Sequence, residues 1–206
     1  MKKVKPYKSK SAAMKAIDNG GRFYNLLTKA NDGEVTEAEL SRVAGVFSDH
    51  KLMHLFLEMS LIELPNATDI KNTLSTSLKQ SYHEHKPNVI SLHDSLTIGC
   101  AGQTVIVTGI PLLVESKTEF SGFITIPMTT GNVTTMMMVP IFDQYEVYEL
   151  KDEISNNKVL LAHTRGGKKL GPVPTRIGGC LKERQQNEDT DEKDLFIEVC
   201  YYTPLY

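Results

Sequence analysis

Apolar residues recur every three to four positions from the N-terminus to about residue 86, and every second position beyond it. The first period predicts helices. Met14 and Ile17 lie on a helix capped by Ser11, which Asp18-Asn19-Gly20-Gly21 ends or bends. Phe23, Leu26 and Leu27 mark a further helical stretch. Thr36 and Glu39 form a capping box ahead of Leu40, Val43, Ala44 and Phe47. Ser48 and Asp49 start a helix rich in Leu and Met that stops at Pro65. Thr68 or Asp69 caps the last one, where Ile70, Leu74, Leu78 and Tyr82 make a narrow apolar stripe.

After Pro87 the period of two predicts at least six strands. Thr104 to Thr108 is β-branched and flanked by glycines, and apolar residues alternate from Phe120 to Met128. A Gly131-Asn132 turn of type II′ leads into Thr134 to Phe142. Tyr145 to Leu150, Val159 to His163 and Leu195 to Tyr202 follow. The connections are too short for crossover helices, so the pairing is read as mostly antiparallel. The fold class is therefore α+β: a helical region over 1–88 with four to five helices, packed beside an antiparallel β region over 89–206. That region is either a sheet covered on one face by helices or a small closed barrel, of which an OB-like barrel is one form. The segment from Arg184 to Asp194 reads as a polar, acidic loop.

Composition changes this picture little. Hydrophobic residues make up 40% and charged residues 23% of the 206, with a net charge of −2, so neither global disorder nor a polyanion-binding surplus is indicated. Cys100, Cys180 and Cys200 are widely spaced and odd in number, and read as reduced core residues. The basic start, Met1-Lys2-Lys3-Val4-Lys5, leads into no apolar run of signal or membrane-span length. The expectation is a cytoplasmic protein with no membrane association.

Charge is distributed unevenly. The first thirty residues hold eight basic side chains and one acid, and residues 31–70 hold eight acids against Arg42 and Lys51. The basic segment can lie on its acidic neighbour or face an anionic partner, but solvated helix faces account for the split.

Ala30-Asn31-Asp32-Gly33-Glu34-Val35-Thr36-Glu37-Ala38-Glu39 resembles the second half of an EF-hand calcium loop, with Asp32 at its fifth position, Gly33 at its sixth and Glu39 at its twelfth. The resemblance implies an oxygen cage for a hard cation. Thr28 and Ala30 stand where the first and third ligands belong, and an Asp-Gly turn followed by a capping box uses the same residues without metal. No cofactor is expected.

Three other groups carry candidate chemistry. His50, His54 and Glu58, at i, i+4 and i+8, present one helix side that can chelate a transition metal or simply form a solvated edge. His83, His85, His93 and Cys100 surround the junction of the two regions, and are the candidates for a hydrolase or metal site there. Arg165, Lys168, Lys169 and Arg176, with Lys182 and Arg184, make a basic Gly- and Pro-rich loop over 165–184. Such a loop can neutralise phosphate if aromatic platforms accompany it, and Tyr145, Tyr148, Tyr201 and Tyr202 are available.

With no nucleophile elbow, dinucleotide loop or metal set, the leading expectation is a small binding or interaction protein rather than an enzyme. Its partner would be another protein, the helical region serving as the docking unit, and adaptable thioethers at Met136-Met137-Met138 suit a contact surface. Nucleic-acid binding through the basic loop is the first alternative, and a His/Cys hydrolase or metal enzyme the second. Oligomeric state is not legible.

Overall fold

The computed structural model describes residues 1–20, 29–97, 99–114, 123–130, 133–152, 157–185 and 193–205. The helix expected around Phe23 to Leu27 and the turn at Gly131-Asn132 lie outside them, as does most of the expected acidic loop. The chain is α+β and divides into two compact units, Lys3–Asn88 and Met1–Lys2 with Val89–Tyr206. Two-residue strands β1 (Lys2–Lys3) and β2 (Asn88–Val89) fall at the division.

In the first unit α1 (Lys10–Ile17) is capped by Ser9, whose hydroxyl accepts from the Ala12 amide, two residues ahead of the expected Ser11. The capping box of α2 (Glu37–Ala44) is present in full, and Gly45 ends the helix at φ 75°. Phe47 therefore leaves the helical stripe and is 73% exposed. α3 (His50–Leu61) starts on Asp49, and every residue from Met53 to Leu61 is buried, as befits a central helix.

The single helix expected from residue 68 to 82 is two, α4 (Ala67–Lys71) and α5 (Thr76–His85). Leu74 forms a parallel bridge with Val35, and the Val35 carbonyl accepts from the Ser75 amide at 2.9 Å. Ser75 then caps α5. Tertiary backbone pairing, which apolar spacing cannot report, outweighs helical continuity. Ile70, Leu74, Leu78 and Tyr82 are all buried nonetheless.

Beneath α2 a carboxylate closes the chain on itself. Glu39 is wholly buried and accepts from the Gly20 amide (2.7 Å), the Thr36 amide (2.9 Å) and the Thr36 hydroxyl (2.9 Å). Asp18, also buried, accepts from the amides of Asp32 and Gly33. The segment resembling half an EF-hand is thus a turn, with Gly33 at φ 85°, and its buried Glu39, like Asp18 beside it, is engaged by hydrogen-bond donors of the chain. The basic N-terminus meets the acidic segment in two exposed pairs, Lys8–Glu63 (3.1 Å) and Lys10–Asp69 (3.2 Å).

The second unit holds α6 (Leu92–Thr97) and strands β3 (Thr104–Leu113), β4 (Phe123–Thr130) and β5 (Val133–Pro140). The one-turn α7 (Ile141–Gln144) comes next, then β6 (Tyr145–Lys151), β7 (Lys158–Thr164), β8 (Thr175–Gln185) and β9 (Lys193–Pro204). β8 corrects the expectation of a loop over 165–184: only 165–174 connects strands. Its Gly178-Gly179 pair and its outward charges mask an alternation that buries Ile177 and Leu181. α7 likewise replaces the end of the strand expected to reach Phe142.

The pairings run β3–β6–β7–β9–β8 and return to β3. β7–β9 is parallel and the other four contacts are antiparallel. β3 lies between β6 and β8, the short β2 also pairs with it, and its longer pairings pass from one side to the other at Gly109. Thr104–Gly109 pairs with β8, and Ile110–Leu113 pairs with β6. A Cβ on Gly109 would stand 2.5 Å from the Lys151 carbonyl oxygen, so only glycine lets β6 approach there.

Side chains alternate between two cores. One contains Val105, Val107, Tyr148, Leu150, Leu161, Ile177 and Ile197. The other lies on the opposite face, where Val147, Leu160, Ala162 and Phe196 meet Ile124 of β4 and Ile141 of α7. The β4–β5 ribbon thereby packs its base against strands already buried on their other side.

Candidate functional site

A groove of about 850 Å³ opens where β4 crosses the ends of β6, β7 and β8. Phe123, Ile124, Thr125 and Pro127 line one wall, Cys180 to Gln185 of β8 line another, and Gln144, Tyr145, Thr164 and Phe196 lie between. By strand alternation Lys182 and Arg184 share one side of β8, and Phe196 and Glu198 share one side of β9.

Tyr145 is fixed by its neighbours. Its hydroxyl donates to Glu198 Oε1 at 2.9 Å, and Lys182 Nζ holds the other carboxylate oxygen at 2.6 Å. Its ring stands edge-on to Phe196, with centroids 6.1 Å apart. Burial raises the phenol's pKa, and the bond to Glu198 with that residue's charge raises it further, so the hydroxyl remains a donor. Arg184 pairs with Asp194 at 3.1 Å while burial lowers its pKa.

The basic connection starts at this groove. The Arg165 amide donates to the Gln144 carbonyl (3.2 Å) and its Nε to the Tyr145 carbonyl (3.4 Å). Further along, buried Leu170 donates its amide to the Tyr148 hydroxyl at 3.3 Å. Beneath lies His163, 1% exposed, stacked on Tyr148 and with Nε2 3.2 Å from Glu146 Oε2. Arg165, Lys168 and Lys169 are exposed. Arg176 is not of this loop: it is half-buried on β8, between Thr108 of β3 and Thr203 of β9. Of the four tyrosines, Tyr148, Tyr201 and Tyr202 are buried, and Tyr145 alone faces the groove.

His50, His54 and Glu58 are not the solvated edge of α3. His54 is fully buried and Glu58 is 8% exposed. Ser81 Oγ lies 2.9 Å from His54 Nε2 and 2.8 Å from His50 Nδ1, and His50 Nε2 faces Glu37 at 3.7 Å. Ser81 has one proton to give, so one ring must donate and the other accept. His54 Nδ1 has no hydrogen-bond partner among the described residues. The order that strands no buried N–H is therefore His54 to Ser81 to His50 to Glu37. Burial, then the nearby His50 and His85, push the His54 pKa down to about 4. Glu58 accepts from the Tyr82 hydroxyl and pairs with Lys71, whose Nζ lies 5.2 Å over the Tyr82 ring.

His85 stands 6.0 Å from His50, ring to ring, and His83 packs against Tyr82. His93 and Cys100 belong to the other unit, His93 exposed on α6 and Cys100 exposed on the turn before β3, its amide bonded to Gln103. Cys180 and Cys200 are in no disulfide and half-buried, so they are not the core residues expected. Among the described residues, no three of His, Cys, Asp and Glu gather in a metal-holding arrangement. No described helix is long and apolar enough to cross a membrane.

Sequence reading did not mark Phe123, Phe196, Glu198, Ser81 or His163. The last two carry no motif. Lys182 with Arg184 and Phe196 with Glu198 do show alternation that points to one face of each strand. No protein-family model matches the chain, and no curated protein compared with it does either.

Proposed function

We propose that the β unit is an OB-like binding module that holds a single strand of nucleic acid in the groove around Tyr145. The ring of pairings β3–β6–β7–β9–β8, with its one parallel contact, supports the barrel reading. In that reading the β4–β5 ribbon joins the first and second barrel strands, a connection such modules use to grip extended ligands. The observation that carries the proposal is the juxtaposition at Tyr145. A restrained aromatic ring lines the groove, and Arg165, which opens the exposed basic connection, bonds to that residue's own carbonyl. Stacking accepts any base and contributes about 1–3 kcal/mol per base, while lysine and arginine offset phosphate charge. Lys182 and Arg184, which line the groove, are paired with Glu198 and Asp194, and this tempers its charge. Recognition in this reading rests on the ring and the exposed connection together, and the protein acts by binding rather than by catalysis.

The test is fluorescence anisotropy of a labelled oligothymidylate with the full chain over a salt series. Affinity should fall steeply as salt rises. Absent binding, or binding indifferent to salt, would refute the proposal.

A further inference from the structure

From Phe120 to Phe142 the sequence carries no charged residue, in a chain that is 23% charged. β5 lies in this stretch, and among the described residues it pairs with β4 alone. Its middle is open to solvent: Met136 is 70% exposed, Met137 43% and Met138 36%. A sheet edge offers main-chain N–H and C=O groups, and free edges are ordinarily blunted by charge, by proline or by short length. β5 is eight residues long, about 27 Å by strand rise, and its one proline, Pro140, is its last residue. The strand carries no charge and no internal proline.

We infer that β5 is a self-association edge, pairing antiparallel with β5 of a second copy of this chain. An open hydrogen-bonding edge calls for a strand, and an uncharged apolar edge gives a charged strand no counter-ion. Two described strands, β4 and β5, are eight residues long and uncharged; β4 stands between β8 and β5, which leaves β5 itself as the matching strand at the end of the sheet order. Antiparallel pairing is compatible with a two-fold axis, the usual symmetry of homodimers. With Met137 on the axis, Met136 faces Met138 of the second copy, so thioether meets thioether along the seam. Such side chains adapt to one another readily. β5 does not line the groove, so this inference stands apart from the ligand proposed above.

Sedimentation velocity of the full chain over a concentration series tests it. The expected result is a species of twice 23.0 kDa that Met137→Lys converts to one of 23.0 kDa with an unchanged far-UV spectrum. A second variant fixes the register: Met137→Cys in a Cys100→Ser background should yield an oxidised dimer joined at that position. A single-chain mass at every concentration overturns the inference. So does a dimer indifferent to Met137→Lys, or one that Met137→Cys does not cross-link.

Discussion

The Tyr145 hydroxyl and the Glu198 carboxylate meet at 2.9 Å, and this bond restrains the ring that lines the groove of the β unit. Tyr145→Ala removes both ring and tether, and should weaken single-strand binding by about 1–3 kcal/mol, roughly fivefold to 150-fold. Tyr145→Phe keeps the stacking face and should lose much less. Anisotropy titrations of both variants at one salt concentration measure the difference. Equal losses would mean that the hydroxyl, not the ring, matters.

Arg165, Lys168 and Lys169 are exposed on the connection that begins beside Tyr145. Each phosphate contact to a single strand contributes about 0.7 to the slope of log affinity against log salt. Replacing all three by alanine should flatten that slope by about 2, whatever the oligonucleotide's sequence. Arg176→Ala, on β8, should leave the slope nearly unchanged. A slope unmoved by the triple variant would place the phosphate contacts elsewhere.

His54 makes the helical unit sensitive to acid. Its folded pKa, pushed down to about 4 from an ordinary 6.5, means that the unfolded chain takes up the proton first as pH falls. The stabilisation is therefore complete above about pH 6.5 and is lost as pH drops through 4. That difference corresponds to about 3 kcal/mol at most. Urea denaturation followed by far-UV circular dichroism should show this decline, and His54→Gln should remove most of it. An identical pH profile in the variant would assign the acid sensitivity to other groups.

Glu39 anchors the first unit through three donors while fully buried. Glu39→Ala leaves the Gly20 and Thr36 amides without that acceptor and deletes the capping box, at a cost of roughly 2–3 kcal/mol. Glu39→Gln keeps an acceptor oxygen and should lose about half as much. Urea midpoints of the two variants measure this, and a neutral Glu39→Ala would show the carboxylate to be dispensable.

Local signals read well from the sequence. The Thr36–Glu39 box, the Asp49 start of α3 and the alternation of β6, β7 and β9 each depend on neighbours within a few residues. What failed depended on distant backbone. Leu74 leaves the helical stripe to pair with Val35, which lies in the chain ahead of both α2 and α3. β8 hides its strand character because Gly179 has no side chain to display: a Cβ there would collide with the Glu198 carbonyl. The groove was partly legible, through Tyr145 and the basic connection. Phe196 joins it, and Glu198 comes to hold Tyr145, only because the β8–β9 pairing brings them level with Lys182 and Cys180. The buried pairing of His54 and His50 through Ser81 could not be read from α3, since the hydroxyl comes from α5.

Gly109 offers a test of how β3 serves two neighbours. An added Cβ would lie 2.5 Å from the Lys151 carbonyl oxygen and 2.9 Å from Leu150 Cγ, and backbone cannot swing aside as a side chain tip can. Gly109→Ala should therefore force β3 and β6 apart and destabilise the β unit by about 1–3 kcal/mol, the usual range for overpacking. Tyr145 begins β6, so oligonucleotide affinity should fall with it. Gly171→Ala is the control, because nothing stands within 4 Å of where its added methyl would sit, and its effect should stay within about 0.5 kcal/mol. Thermal melts of the two variants decide the matter. If Gly109→Ala melts with the parent, the two strands have slack at the crossover, and close backbone approach is not what holds the change of partner in place.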